Sequence, residues 1–246
     1  MTIGEIVTAA IAIFSVVLGL YGQMRTARLE DRLEQQREAK SREAKVAEIM
    51  ARYREPLLRS AFDLQSRLFN IVEFDLLQRF YNKSEARKQY AIYSTLFVVA
   101  EYLGWVEILR REVQFLDVGD VAANRTLNQL IHTITDLFLR SRMSQPFRLF
   151  RAEQRAIGEI MLVPSPGEGT TWDCIGYATF VQKLSHPEFR QWFASLEADM
   201  DALVENPDDN ERLALLQHAL IDLIDFLDAT YTRISADQRQ KVKLRT

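Results

Sequence analysis

Hydrophobic and polar positions divide the 246-residue chain into an apolar N-terminal segment, a charged segment and a long amphipathic remainder. Between Ile6 and Met24, 19 consecutive residues carry no formal charge and are mainly Ile, Val, Ala, Leu and Phe. A helix of this length rises about 28 Å, close to the ~30 Å hydrocarbon core of a bilayer. A cleaved secretory signal would carry Lys or Arg ahead of the apolar run, where this chain has only Glu5. The pattern therefore predicts a transmembrane anchor over residues 1–24.

Basic residues lie on one side of this predicted span. No Lys or Arg precedes it, and seven follow within residues 25–45: Arg25, Arg28, Arg32, Arg37, Lys40, Arg42 and Lys45. Lys and Arg are retained on the cytoplasmic side of a membrane. We therefore expect a single-pass inner-membrane protein with its N-terminus outside and the rest of the chain in the cytoplasm. In this organisation the chain broadly resembles bacterial membrane-anchored helical proteins, although no stretch matches a motif from which a function carries over.

Small residues recur at steps of three and four along one face of the predicted span, at Gly4, Thr8, Ala12, Ser15, Gly19 and Gly22. Small residues let helices approach closely in lipid, where packing drives association. This small-residue stripe is a candidate packing surface for a homo-oligomer. The alternative is that Gly, Ala and Ser are simply frequent in membrane spans.

The charged segment, residues 25–45, is predicted to continue from the span as a helical stalk. Leu29 and Leu33 are its only large apolar residues, so a sustained coiled coil is not expected. From Val46 onward apolar residues recur every three or four positions, which predicts a cytoplasmic α-helical domain over residues 46–246. Pro56 falls inside the first helix of this domain and is expected to kink or restart it.

Six further helices are predicted from cap residues and apolar periodicity. They cover 84–116 from a Ser84 N-cap, 127–138, 144–163 opened by Ser144 and Pro146, 172–184, a segment opened by Ser185-His186-Pro187-Glu188 and closed by Asn206-Pro207, and 213–234. No strand alternation is found, and with only 9 Gly and 6 Pro the chain is poor in the turns that β architectures need. The predicted fold class is all-α.

The first of these six helices, 84–116, is apolar nearly all round between Ala91 and Trp105. A second membrane span at this place would put Glu101 and Glu107 inside the bilayer, which is costly. We therefore expect this segment to be the central helix of a soluble core.

Composition and motifs exclude several kinds of site. One cysteine and three dispersed histidines argue against a disulfide framework, a multi-thiolate zinc site and a His-rich metal centre. The chain has no Walker-type phosphate loop, no dinucleotide-binding glycine motif, no Gly-x-Ser-x-Gly elbow and no His-Glu-x-x-His pair. We therefore expect no metal and no cofactor, and a non-enzymatic function rather than catalysis.

Glu101 and Glu107 are the candidate acid/base groups. A carboxylate among apolar residues has a raised pKa, which a general acid uses, but a spacing of six places the two on different faces of a helix. The structural alternative pairs Glu101 with an arginine or a backbone cap and leaves Glu107 in water.

Asp173, Cys174 and His186 flank the predicted helix 172–184. A neighbouring base can turn a cysteine into a thiolate nucleophile, but nothing in this spacing brings the three side chains together. We expect Cys174 to be a small buried apolar residue.

Three arginines form a candidate anion-binding stripe. Arg148, Arg151 and Arg155 are three and four residues apart, so on a helix they share one face. Such a stripe binds phosphate on a lipid headgroup, a nucleotide or another ligand. The alternative is a solvated face on which Arg155 pairs with Glu159.

Charge is segregated near the C-terminus. Residues 197–228 contain ten acidic residues and one base, Arg212, whereas the following tail carries Arg233, Arg239, Lys241, Lys243 and Arg245. The acidic face is a candidate docking surface for a basic protein partner, and the tail for anionic lipid. The alternative is a solubilising surface with a frayed terminus. The net charge of −3 gives no reason to expect nucleic acid as a partner.

The sequence favours a membrane-anchored helical interaction or regulatory module that self-associates through its span. The alternative function is a membrane-bound enzyme or small-ligand sensor with a pocket near Glu101 and the arginine stripe. A pore-forming effector is less favoured, because Thr8 and Ser15 offer little polar lining.

Overall fold

Helices make up most of the protein, and their bounds follow the sequence periodicity with several exceptions. The structure is a computed structural model that describes residues 3–113, 121–141, 146–165 and 171–244, with side chains left undescribed at most positions before residue 52 and at 113 and 121–124. In chain order the elements are α1 (Ile3–Phe74), α2 (Leu76–Tyr81), α3 (Glu85–Val113), α4 (Val121–Leu139), α5 (Arg151–Met161), β1 (Leu162–Pro164), β2 (Trp172–Cys174), α6 (Tyr177–Lys183), α7 (Pro187–Arg190), α8 (Ala194–Glu205) and α9 (Glu211–Leu227). The all-α prediction is confirmed in its main feature, with one short hairpin added.

Helix α1 passes through Pro56 without a break. The predicted restart at this residue is therefore wrong. Proline removes one helical hydrogen bond, but Tyr53, Leu57 and Leu58 on the adjoining turns are buried in the core and hold the helix in place. The helix ends at Asp75, whose backbone is left-handed (φ 49°), so that Leu76 opens α2 instead of closing α1.

The core lies between the C-terminal part of α1 and helices α3, α5 and α9, with α4 packed against α9. The buried face of α9 carries Leu213, Leu216, Leu220, Leu223 and Leu227, as the periodicity predicted. The helix ends at Leu227, so its predicted continuation to residue 234 is wrong. The N-cap of α3 is also confirmed, because the Ser84 hydroxyl oxygen accepts a hydrogen bond from the Arg87 backbone N–H at 3.3 Å.

Among the described residues, α3 is the helix long and apolar enough to cross a bilayer by length and composition alone. Most of its apolar window is buried inside the domain, which agrees with the predicted central helix of the core. The predicted span 6–24 belongs to α1, but its side chains lie outside the described residues. The small-residue stripe lies in the same part of the helix. The predicted end of α3 at Leu116 and the predicted N-cap Ser144 also lie outside the described residues.

Two glycines set the distances at which elements approach α3. A Cβ on Gly158 of α5 would lie 2.7 Å from the Leu103 carbonyl oxygen and 2.9 Å from the Glu107 Cβ. A Cβ on Gly104 of α3 would lie 2.6 Å from the Cys174 Sγ. Helix α5 and strand β2 therefore approach α3 more closely than a Cβ at these positions would allow without a shift of the neighbouring atoms.

The region around α5 differs most from prediction. Pro146 and Phe147 form a turn instead of the first turn of a helix, and α5 begins only at Arg151. Phe147 has a left-handed backbone (φ 62°), and its N–H donates to the Asp199 carboxylate at 2.8 Å. This contact joins residues 52 positions apart and fixes the turn, so the local sequence pattern could not predict it.

A two-stranded antiparallel sheet replaces the ends of two predicted helices. β1 pairs with β2 in the register Leu162 with Cys174 and Pro164 with Trp172, on either side of residues 165–171. Three-residue strands are too short to show an alternating pattern. The predicted helix 172–184 consequently begins at Tyr177, after the hairpin.

Ser185 does not cap the helix that the segment 185–188 was predicted to open. The Ser185 hydroxyl donates to the Gln182 carbonyl oxygen at 2.7 Å, and α7 begins at Pro187 without a side-chain cap. The predicted end of the following segment is confirmed, since α8 closes with Asn206 as its C-cap.

Candidate functional site

A cavity of about 430 Å³ opens between α3, α4 and α5. Its apolar lining comes from Leu103, Val106, Leu109 and Ile131. Its polar lining comes mainly from Glu107, Arg110, Asn128, His132, Arg151 and Arg155. The volume falls in the ~300–1,000 Å³ range of small-molecule sites, which are mostly apolar with a few convergent polar groups.

Glu107 is the buried anion of this cavity, with a side chain only 3% exposed. Its carboxylate accepts hydrogen bonds from Arg110 Nη2 at 2.6 Å, from Arg110 Nε at 2.8 Å and from Arg111 Nε at 2.8 Å. Burial alone would raise the pKa of Glu107, but the hydrogen bonds from the two arginines lower it on balance. The structural alternative that left Glu107 in water is therefore wrong, and the carboxylate is held as an anion that does not donate a proton.

The three predicted stripe arginines are divided by the start of α5. Arg151 and Arg155 lie on the helix and line the cavity. Arg148 precedes the helix in non-helical backbone, and its guanidinium carbon lies 4.8 Å from the centre of the Phe150 ring. The prediction that all three share one helical face is wrong, because the helix begins three residues after Arg148.

The ion pairs of this region also differ from expectation. Glu159 pairs with Arg111 at 3.0 Å. Arg155 instead places its Nε 4.0 Å from Glu107 Oε2, beyond hydrogen-bond distance. Arg151 Nη2 lies 2.8 Å from Asp136 Oδ1, in an exposed pair between α5 and α4.

Glu101 lies on α3 but is not among the residues that line the cavity. Burial raises its pKa to about 7, with further contributions from the negative charges of Asp63 and Asp173. In the described part of the chain, the charged neighbours that shift the pKa of Glu101 are therefore carboxylates, whereas Glu107 is paired with Arg110 and Arg111. Glu101 therefore does not belong to the cavity that Arg151 and Arg155 line.

Cys174 lies in β2 against α3, with its Sγ 4.0 Å from the Glu101 carbonyl oxygen. Burial, together with the charges of Glu101 and Asp173, raises the pKa of the thiol. Asp173 accepts a hydrogen bond from the Cys174 N–H at 2.7 Å, and His186 is exposed at the start of α7. A raised pKa keeps the thiol protonated and unreactive, which fits the packing role expected of it.

Much of the acidic segment is paired within the chain itself. Arg239 binds Asp225 at 2.9 Å and Asp228 at 2.6 Å, and Lys241 binds Asp222 at 2.6 Å. The tail is also held through its backbone, since Gln217 donates to the Gln240 carbonyl oxygen at 2.8 Å. The described part of the tail is therefore docked on α9. The prediction of a frayed terminus is wrong for these residues.

Sequence reasoning did not identify Arg110, Asn128 and His132 as neighbours of the stripe arginines. The i,i+3 spacing of Glu107 and Arg110 was a visible signal for one ion pair. The approach of α4 and α5 to this end of α3 has no comparable local signal. Groups of three or more residues able to hold a metal ion are not found among the described residues.

Comparisons with protein families, with curated protein sequences and with solved structures find no significant match to this chain.

Proposed function

We propose that the protein is a membrane-anchored helical interaction or regulatory module. The observation that carries this proposal is the single helix α1, which joins the apolar segment 6–24 to the domain core without a break. At its C-terminal end this helix is held by the buried side chains of Leu57, Leu64 and Leu68. A continuous helix transmits position and rotation from a membrane span to a domain.

The charged stalk supports the same proposal. Residues 32–41 are exposed along the helix, so the described part of the domain does not cover them. The excess of Lys and Arg in residues 25–45 supports a cytoplasmic stalk with the N-terminus outside.

Cysteine labelling of the intact cell tests the anchor and its orientation. In a Cys174→Ser background, a membrane-impermeant maleimide should label Thr2→Cys in intact cells and Glu34→Cys only after lysis. Labelling of both sites before lysis, or recovery of the protein in the soluble fraction, would contradict the proposal.

Self-association through the small-residue stripe is the second part of the proposal. Close packing at Ser15 and Gly19 predicts that Gly19→Ile weakens dimerisation in a membrane reporter assay, because a large side chain separates the helices. Val17→Ile adds bulk outside the stripe and is the matched control. Equal association of the wild type, Gly19→Ile and Val17→Ile would contradict this part of the proposal.

A basic protein partner on the acidic segment is a further proposal. Such a partner would compete with the chain's own tail for Asp222, Asp225 and Asp228, which Arg239 and Lys241 already occupy. Glu205, Asp209 and Glu211 are exposed and more accessible. Reversing these three charges should abolish binding of a basic peptide, and unchanged binding would exclude this surface.

The cavity favours a second candidate function, that of a small-ligand sensor. Its lining combines an apolar wall with arginines from α3 and α5, while the Glu107 carboxylate is held in ion pairs that do not suit proton transfer. A ligand of this site should raise the thermal unfolding midpoint of the full chain by mass action. A screen in which no compound shifts the midpoint would count against this candidate.

A further inference from the structure

We propose that the cavity between α3, α4 and α5 binds a small amphipathic anion, with a phosphate or carboxylate head on a short apolar group. This inference rests on the second candidate function and names the chemistry of its ligand. The head would bind Arg151 and Arg155, and the apolar group would lie against Leu109 and Ile131.

The charge of the lining selects an anion. Three arginines line the cavity against one carboxylate, that of Glu107. This carboxylate already accepts hydrogen bonds from Arg110 and Arg111. A cationic ligand would therefore meet an excess of positive charge and no available anion in the described lining.

Arg155 supplies the donors for the head. Its Nε lies 4.0 Å from Glu107 Oε2, its closest ion-pair contact among the described residues, and its side chain is 58% exposed. The planar guanidinium offers two parallel N–H donors, which match the geometry of a carboxylate or phosphate.

Arg151 is positioned to assist from one turn earlier on α5. Its pair with Asp136 is exposed at both ends, 57% and 46%, and exposed pairs contribute little to stability. The arginine can therefore exchange Asp136 for an anionic ligand at small cost.

Gln154 is the other polar residue of α5 in the cavity lining, and its amide nitrogen already has hydrogen-bond partners. The Gln154 amide nitrogen donates to the Thr135 carbonyl oxygen at 3.1 Å and to the Leu149 carbonyl oxygen at 3.0 Å. This side chain therefore joins α5 to α4 and does not compete with the arginines for the head. Opposite it, apolar side chains of α3 and α4 offer a surface that a purely inorganic anion would leave uncovered.

Ligand-detected NMR on the full chain in phosphatidylcholine nanodiscs tests the proposal. The probes are hexyl phosphate, inorganic phosphate, hexanol and hexyltrimethylammonium, and empty nanodiscs give the baseline for partitioning into lipid. Hexyl phosphate should bind at least about tenfold more tightly than hexanol, because charge-assisted hydrogen bonds favour the anion. It should also bind more tightly than inorganic phosphate, and the cationic probe should not bind.

Three variants locate the binding. Arg155→Gln should weaken hexyl phosphate about tenfold through the loss of charged hydrogen bonds. Arg79→Gln removes the same charge from α2, outside the cavity lining, and should change affinity less than about twofold. Asn128→Trp places a large ring at an exposed position of the lining and should block binding without disturbing the core.

Equal affinity for hexyl phosphate and hexanol would overturn the proposal. Equal weakening by Arg155→Gln and Arg79→Gln, with folding confirmed by circular dichroism, would do the same. Adding phosphatidylglycerol to the nanodisc distinguishes two sources of the anion. If this lipid displaces bound hexyl phosphate, the site binds a lipid headgroup. If hexyl phosphate stays bound, the site takes a free amphiphile. Binding is measured without reference to topology, so failure of the site and failure of the anchor are separate results.

Discussion

Arg239 Nη2 lies 2.6 Å from Asp228 Oδ2, and the two side chains are only 4% and 3% exposed. Asp228 ends α9, and Arg239 belongs to the tail that returns along this helix. The same carboxylate accepts hydrogen bonds from the backbone N–H groups of Thr232 at 3.0 Å, Arg233 at 3.1 Å and Ile234 at 3.0 Å. One side chain thus fixes both the turn after α9 and the docking of the tail.

Asp228→Asn should destabilise the domain by about 3 kcal/mol, because it removes the buried anion of Arg239 and leaves this buried charge with only the partly exposed Asp225. Urea unfolding measures the change. Asp222→Asn is the matched control, since its pair with Lys241 is exposed and should contribute less than about 1 kcal/mol. Equal effects of the two substitutions would show that burial does not govern this pair.

The stability that Asp228 contributes should depend on acid pH. Burial would raise the pKa of its carboxyl, but the backbone and Thr232 hydrogen bonds hold it well below its usual range. A carboxyl with a lowered pKa in the folded state stabilises above its unfolded pKa of about 3.9, and this contribution is lost as the pH falls toward the folded value. The difference in unfolding free energy between the wild type and Asp228→Asn should therefore be constant near neutrality and shrink below about pH 4.

Glu101 should have the opposite pH dependence. Burial and the charges of Asp63 and Asp173 raise its pKa to about 7, whereas a Glu in the unfolded chain titrates near about 4.3. The folded state then binds the proton more tightly than the unfolded chain does. The unfolding free energy of the wild type should therefore fall by up to about 3 kcal/mol as the pH rises from about 4.3 to about 7.

Glu101→Gln isolates this effect. The variant should be more stable than the wild type at pH 8 and similar to it at pH 4, measured by urea unfolding at both. A variant that is less stable at pH 8 would show that the ionised Glu101 makes a favourable contact in the folded state.

Gly158→Ala tests the close approach of α5 to α3. The new methyl would lie 2.7 Å from the Leu103 carbonyl oxygen, so we expect a loss of about 1–3 kcal/mol despite the better helix propensity of alanine. Gly176→Ala is the control, because a Cβ at that position meets nothing within 4 Å. A stabilised Gly158→Ala protein would mean that the two helices can separate without cost.

Arg212 is the buried base of the acidic segment, with a side chain that is fully inaccessible. It donates to the carbonyl oxygens of Leu137, of Phe138 at 3.2 Å and of Arg140 at 2.6 Å, which closes the C-terminal end of α4. Arg212→Met should remove the side-chain donor from the Leu137 and Arg140 carbonyl oxygens, whereas the Phe138 oxygen keeps the Leu149 N–H, and should destabilise the domain by about 3 kcal/mol. In the Arg212→Met variant, amide hydrogen exchange should become faster at the C-terminal end of α4 than at its centre. Uniform exchange along α4 in this variant would contradict the capping role of Arg212.

Local sequence patterns were sufficient to predict the helical class, the central position of α3, the Ser84 cap and the end of α8 at Asn206. These features depend on residues three or four apart, and a helix brings such residues together wherever it lies in the protein. The apolar run 6–24 and its basic flank likewise predict an anchor from local composition alone.

The other features of the fold were not predictable from local patterns. The hairpin, the turn at Phe147, the exclusion of Arg148 from the helix and the acidic surroundings of Glu101 all depend on contacts between distant segments. Glu159 meets Arg111 across 48 residues, and Asp199 holds Phe147 across 52. Which charge meets which in such pairs is set by the packing of whole helices, because the free energy of burying a carboxylate depends on every donor that packing brings within reach.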